Sequence, residues 1–330
     1  MTHKTIQTTC IYGAGAIGGW LGAGLAAAGC HVSMVARGAT LSALQQHGLR
    51  VQSGPDTRSF PVQVCADPAE LGVQDLVVIA VKAPALLDVA RHVAPLIGPD
   101  TMVLTAMNGV PWWFFHGFGG SYAGTQLKAV DPSGEIAAAI PAANIIGCVV
   151  HASCSVDAPG LIRHHFGNGL IIGEPSGGPS ARVQALADLL VRAGFAASVS
   201  AQIQKDSWFK LWGNMTVNPI SAMTGATTDL ILGDPLVRDF SSKIMLEAKE
   251  IGARIGIAIE QQPEDRHAVT LKLGAFKTSM LQDVEAGKAI ELDALVSAVR
   301  ELGQLTRVPT PFTDALLGLS LLHARVHGLY

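Results

Sequence analysis

Apolar positions along the chain follow two regimes. In the first part they form short continuous runs at Thr8 to Tyr12, Asp75 to Val81 and Thr101 to Met107, the pattern of strands buried on both faces of a parallel sheet. Between the first run and another at His31 to Ala36, the residues Ile17, Leu21, Leu25 and Ala28 recur at i, i+4, i+8 and i+11, one face of a helix. From about Ala201 onward helical periods continue to the end. These patterns predict a parallel-sheet α/β domain over residues 1–201 and an all-α domain over 202–330. One segment, PWWFFHGFGG from Pro111 and on to about residue 141, has no helical period and is rich in Gly and aromatics. It predicts a long inserted loop in the first domain, either a site cover or a segment packed on its own domain or a partner subunit.

The stretch CIYGAGAIGGWLGAGLAAAGCHVSMVARG, Cys10 to Gly38, tests the first regime. It has no Asp, Glu, Lys or Arg between Lys4 and Arg37, so a membrane or export segment competes with the strand–helix–strand reading. An export signal would start at Lys4 and exit through LAAAGC, but a lipoprotein box favours a bulky aliphatic where Ala27 stands. A membrane helix would carry six glycines within twelve residues, Gly13 to Gly24, each costing about 1 kcal/mol relative to Ala. The third reading absorbs them, because Gly13-Ala14-Gly15-Ala16-Ile17-Gly18 matches GxGxxG between a strand and a helix, the turn that cradles a dinucleotide pyrophosphate. At the end of the second strand, where an acidic residue would bind a ribose 2'-hydroxyl, stands Arg37. A guanidinium there suits the 2'-phosphate of NADP, and the alternative is a solvated surface Arg.

Composition narrows the partners. The chain has 330 residues, 15% of them charged, and a net charge of -3, with no basic excess for nucleic acid or an anionic membrane surface. Five scattered cysteines without a CxxC pair point to a reducing cytoplasm, and no metal site is expected. His164 and His165 are neighbours that a strand would turn to opposite faces. Lys82 and Asn108 follow the second and third apolar runs, where ligands of α/β sheets bind, although Asn108-Gly109 is equally a turn pair.

In the helical half, Lys210, Asn214 and Asn218 fall at i, i+4 and i+8, one stripe of a helix, flanked by Trp208, Leu211, Trp212, Met215 and Val217. The stripe faces either solvent or a substrate. A lysine in such surroundings can have its pKa lowered and donate the proton that carbonyl reduction requires. Ser279-Met-Leu-Gln-Asp283 and Glu291 form a second polar cluster among the helices.

Together, GAGAIGG, Arg37, VKAPAL around Lys82, Asn108-Gly109, His151-Ala-Ser153 with GLIRHHFGNGLIIG, KLWGNMTVNPISA, and SMLQD followed by Glu291 resemble the ketopantoate reductase (2-dehydropantoate 2-reductase) family over nearly the whole chain. The resemblance implies a Rossmann-type domain, a helical domain like the C-terminal domain of 6-phosphogluconate dehydrogenase, and NADPH-dependent reduction of 2-dehydropantoate to pantoate in pantothenate synthesis. It makes Lys210 the general acid with Glu291 beside it. Asn214, Asn218, Ser279, Met280, Leu281, Gln282 and Asn108 would surround the substrate. Gly13, Ala14, Gly15, Ala16, Ile17, Gly18, Arg37, Lys82, Asn108, Ser153 and Glu291 would serve NADP(H). A homodimer is compatible with it. Two departures bear on the substrate: Thr228 stands where members often have a further pocket Asn, and the aromatic segment is longer than in short members. A reductase of another small keto acid, or a non-catalytic NADP-binding protein, are the alternatives.

Overall fold

The computed structural model describes residues 6–330, so Lys4 lies outside them. Ten strands form one sheet: β1 Thr8–Tyr12, β2 His31–Val35, β3 Leu49–Ser53, β4 Asp56–Phe60, β5 Gln63–Cys65, β6 Leu76–Ile79, β7 Met102–Thr105, β8 Ile145–Ala158, β9 Leu161–Gly173 and β10 Ala196–Val199. Their order is β4-β3-β9-β8-β7-β6-β1-β2-β5, with β10 beside β9. The run β5-β2-β1-β6-β7-β8 is parallel throughout and is the doubly wound, Rossmann-type half of the sheet. The long strands β8 and β9 then form an antiparallel pair, and β3 and β10 each run parallel to β9.

Central strands are apolar because they are covered on both faces. Ile11, Val77, Val78, Ile79, Val103 and Leu104 are all fully buried. Asp75, the acidic residue that opens its apolar run, is explained by its carboxylate, which accepts the Gln7 and Thr8 backbone N–H groups at 3.0 Å and the Thr8 hydroxyl at 3.1 Å. It ties the start of β1 to that of β6. The stretch from Cys10 to Arg37 is strand, turn, the helix Ala16–Ala27 and strand again. No helix among the described residues is long and apolar enough to cross a membrane.

The chain divides into two compact units, Met1–Met107 with Ser133–Asp206 and Asn108–Pro132 with Ser207–Tyr330. The division corrects the placement of the aromatic segment in the sheet domain. Residues 108–132 belong with the helices, and only the part from Ser133, including the short helix Glu135–Ala139, stays with the sheet. The reason is apolar burial: Val110, Phe114, Phe115 and Leu127 are part of the same core as Trp208, Trp212, Met215, Ile244 and Met245. Phe114 meets Phe115, Phe118 and Trp208 at ring-centroid distances of 5.3, 5.9 and 6.0 Å. Glu301 fastens the far end, its two carboxylate oxygens accepting the Lys128 and Ala129 N–H groups at 2.8 Å. This segment is core, not a cover.

A core role has a measurable consequence. Phe114→Ala should lower the unfolding free energy by about 3–5 kcal/mol, the usual cost of truncating a buried aromatic, read by denaturant unfolding. A surface cover would leave the transition in place.

Candidate active site

The glycine turn is built by close approach. An added Cβ on Gly18 would lie 2.0 Å from the Gly13 carbonyl oxygen and 3.0 Å from Ile11, and Gly13 itself holds φ +110° against Ala80 and Val81. Gly15 is different: a Cβ there would meet nothing within 4 Å. It is the N-cap of Ala16–Ala27, and no described side chain caps that helix. Open space adjoins Gly15 at the start of the helix, where the first-turn N–H groups have no side-chain cap and the partial positive charge favours an anion. Ala14, Ala16 and Ile17 are half-exposed around it. The turn therefore fits a dinucleotide pyrophosphate.

At the end of β2, the exposed Arg37 makes an ion pair with Asp88 of the helix Leu86–His92, at 3.0 Å. Asp88 also accepts His92, and the Tyr12 hydroxyl is buried nearby without a hydrogen-bond partner among the described residues. Burial, with the Asp88 charge adding and Arg37 opposing, pushes the Tyr12 phenol up to about 12. Neither Asp88 nor Tyr12 was singled out in the sequence, because no periodicity or motif marks them. Lys82 is exposed at the turn after β6, and Ser153 is half-buried on β8 opposite Phe166 at a register irregularity. His164 and His165 go separate ways, the first to the Gly167 carbonyl at 2.6 Å and the second to the Ser155 hydroxyl at 2.9 Å.

The second unit carries the polar stripe. Lys210, Asn214 and Asn218 lie on the 22-residue helix Ile203–Thr224, whose Trp208, Leu211, Trp212 and Met215 fill the core. Lys210 Nζ donates to Asn108 Oδ1 at 2.7 Å across 102 residues of sequence. Asn108 is held in place because the next residue but one, Val110, donates its N–H to the Ala294 carbonyl at 2.8 Å. Three residues before Ala294 stands Glu291, 6% exposed, at the entry to a π-helical turn, Asp293–Ser297. The stripe is not a solvated face: Asn218 is only 7% exposed and Lys210 and Asn214 are half-buried. The side chains of Asn214 and Asn218 make no hydrogen bond to any described residue, which leaves their amides open to a ligand. Pro219, inside this helix, cannot donate to the Met215 carbonyl and frees one more acceptor.

The SMLQD cluster is only partly polar in space. Thr278 caps the helix Ser279–Glu285 by accepting the Leu281 N–H at 3.1 Å. Met280 and Leu281 are buried, Met280 within the helical core, so their side chains pack and only their backbone is left for a ligand. Ser279 and Gln282 are half-buried, and Gln282 reaches back to the Lys277 carbonyl at 3.2 Å. Thr228 is 2% exposed and its hydroxyl donates to the Gly274 carbonyl at 2.8 Å. Arg266, beside the stripe, is a further charged residue that the sequence reading passed over.

A doubly wound sheet with an open glycine turn, followed by a helical unit with a lysine–asparagine stripe, defines the class of dinucleotide-dependent α/β oxidoreductases. Comparison with known proteins specifies the family. The family description Ketopantoate reductase PanE/ApbA matches residues 9–177, and Ketopantoate reductase PanE/ApbA C terminal matches 202–324. A 2-dehydropantoate 2-reductase from Mesorhizobium japonicum is 48% identical over 97% of this chain and 98% of its own. A solved structure from Ralstonia solanacearum is 56% identical with TM-score 0.96, covering 99% of this chain and all of its own. A D-mandelate dehydrogenase with bound NADH shares the fold at TM-score 0.84 and 20% identity, covering 98% of this chain and 100% of its own. The chain belongs to the ketopantoate reductase family, whose reaction is reduction of 2-dehydropantoate with a nicotinamide dinucleotide.

The two glycine positions separate fold from cofactor. Gly15→Ala should leave thermal unfolding within a few degrees of the parent, since the added methyl meets no atom, yet weaken dinucleotide binding about tenfold or more by filling the cradle. Gly18→Ala should lower both. Melting curves and cofactor fluorescence titrations distinguish them.

Proposed function

We propose that this protein reduces 2-dehydropantoate to pantoate with NADPH, Lys210 supplying the proton. The observation that carries this reading is the 2.7 Å bond from Lys210 to Asn108 on a partly buried polar stripe of a helix whose Trp208, Leu211, Trp212 and Met215 fill the core. When bound, the dinucleotide supplies a hydride to the carbonyl carbon. The chain's own residues do the rest. Asn108 accepts from the ammonium and aims it, and the ammonium stabilises negative charge developing on the carbonyl oxygen before giving up its proton there. Asn214 and Asn218 hold the substrate's oxygens through amides that no described residue hydrogen-bonds. Gly13 to Gly18 hold the pyrophosphate, and Glu291 is buried three residues before Ala294, which accepts the Val110 N–H.

Preference for NADP over NAD is supported by Arg37 at the end of β2, by Lys82 at the end of β6, and by the lack of an acidic residue closing β2. A second reading, reduction of another small keto acid, is favoured by Thr228, whose hydroxyl is engaged by Gly274. Oxidation of NADPH followed across a panel of 2-keto acids, 2-dehydropantoate among them, decides between the two.

Lys210→Ala should lower kcat at least about 10²-fold, the lower bound for losing a general acid, with the dissociation constant for NADPH little changed. Near-normal turnover in steady-state assays would remove Lys210 from its role. Arg37→Ala should weaken NADPH by about tenfold, the value of one charge-assisted contact, while NADH binding stays nearly constant. Equal losses would show that Arg37 does not read the 2'-phosphate.

A further inference from the structure

Arg266 lies on the helix Pro263–Leu271 with its guanidinium laid against the helix that carries Lys210. It approaches so closely that a Cβ on Gly213 would be 2.6 Å from Nε, 3.2 Å from one terminal nitrogen and 3.4 Å from Cζ. Its central carbon sits 5.7 Å over the Phe209 ring. Yet Nε is buried without a hydrogen-bond partner, and the group makes no ion pair with any described residue. The neighbouring carboxylate, Asp265, is committed elsewhere, accepting the Gln262 N–H at 2.8 Å in a capping box. Arg266 is half-buried, and burial pulls its pKa below the ordinary value with no carboxylate among the described residues opposing the shift.

Position supplies the anion. Phe209 and Gly213, the two residues the guanidinium covers, flank Lys210 in sequence, and side chains three apart on a helix stand about 5–6 Å from each other. A 2-keto acid presents a carboxylate on the carbon next to the carbonyl that Lys210 would protonate. We propose that Arg266 is a specificity-determining residue that receives the substrate's carboxylate. Gly213 leaves the space for it, and the planar fork offers paired N–H donors that match two carboxylate oxygens. The inference rests on the keto-acid reductase reading and adds the group that selects an acid over a neutral carbonyl compound.

The test compares the parent protein with Arg266→Gln and Arg266→Lys. With 2-dehydropantoate, Arg266→Gln should raise KM about ten- to hundredfold, the value of a charged hydrogen-bonded pair, with kcat within about threefold and NADPH affinity by fluorescence unchanged. Arg266→Lys should recover part of the loss. Calorimetric titration of pantoate into the protein saturated with NADP⁺ should show the same loss without turnover. An active parent whose Arg266→Gln variant keeps its KM and pantoate affinity within twofold overturns the Arg266 assignment alone. So does a variant that changes only its melting temperature or solution mass, since the guanidinium would then serve packing or a partner subunit. A parent protein that neither reduces nor binds any 2-keto acid overturns the function and this inference together.

Discussion

A half-buried ammonium group requires an oxygen partner, and the bond from Lys210 to Asn108 meets that requirement. Much of the helical unit's construction follows from it. Asn108 comes from a segment that leaves the end of β7, so 25 residues, Asn108–Pro132, must join the helices to deliver one amide oxygen. Their aromatic side chains are what hold them there: Phe114 and Phe115 are 1% exposed and share a core with Trp208 and Trp212. Val110 on Ala294 and Glu301 on Lys128 and Ala129 fix the two ends.

The sheet unit obeys a different constraint, that of backbone proximity. Its first turn brings a helix onto a strand so closely that the third glycine cannot carry a methyl, while the second faces open space where a phosphate fits. Charge is kept away from this turn and placed at strand ends. Arg37, paired with Asp88, and Lys82 both stand there. The same separation explains a stretch that carries no charge from Cys10 to Ala36 without being a membrane segment: its two strands and the helix on them are mostly buried, and the exposed positions Ala27, Gly29 and His31 sit where the helix ends and the second strand begins.

The strands at Thr8–Tyr12, Leu76–Ile79 and Met102–Thr105, and the helix from Ala16, were readable because continuous apolar runs and the 3.6-residue period are local properties. Lys210, Asn214 and Asn218 were readable as one stripe for the same reason. Whether that stripe met water or protein was not, because the answer depends on which distant segment covers it. The aromatic run from Pro111 misled for a related reason: with no period of its own it read as an insertion in the sheet domain, whereas side chains choose their core by proximity in space. Met280 and Leu281 belonged to a polar motif in sequence and to the packed interior in structure.

The sequence by itself determined the alternation of strands and helices, the glycine turn and the spacing of the lysine and asparagines, since each depends on residues within a few turns of one another. Tertiary structure decided the pairings that join distant parts of the chain. Asn108 meets Lys210, Arg37 meets Asp88, and Arg266 comes to rest over Gly213 with no ion-pair partner among the described residues. Such contacts arise only when packing brings separate helices and strands together, and no local period encodes them.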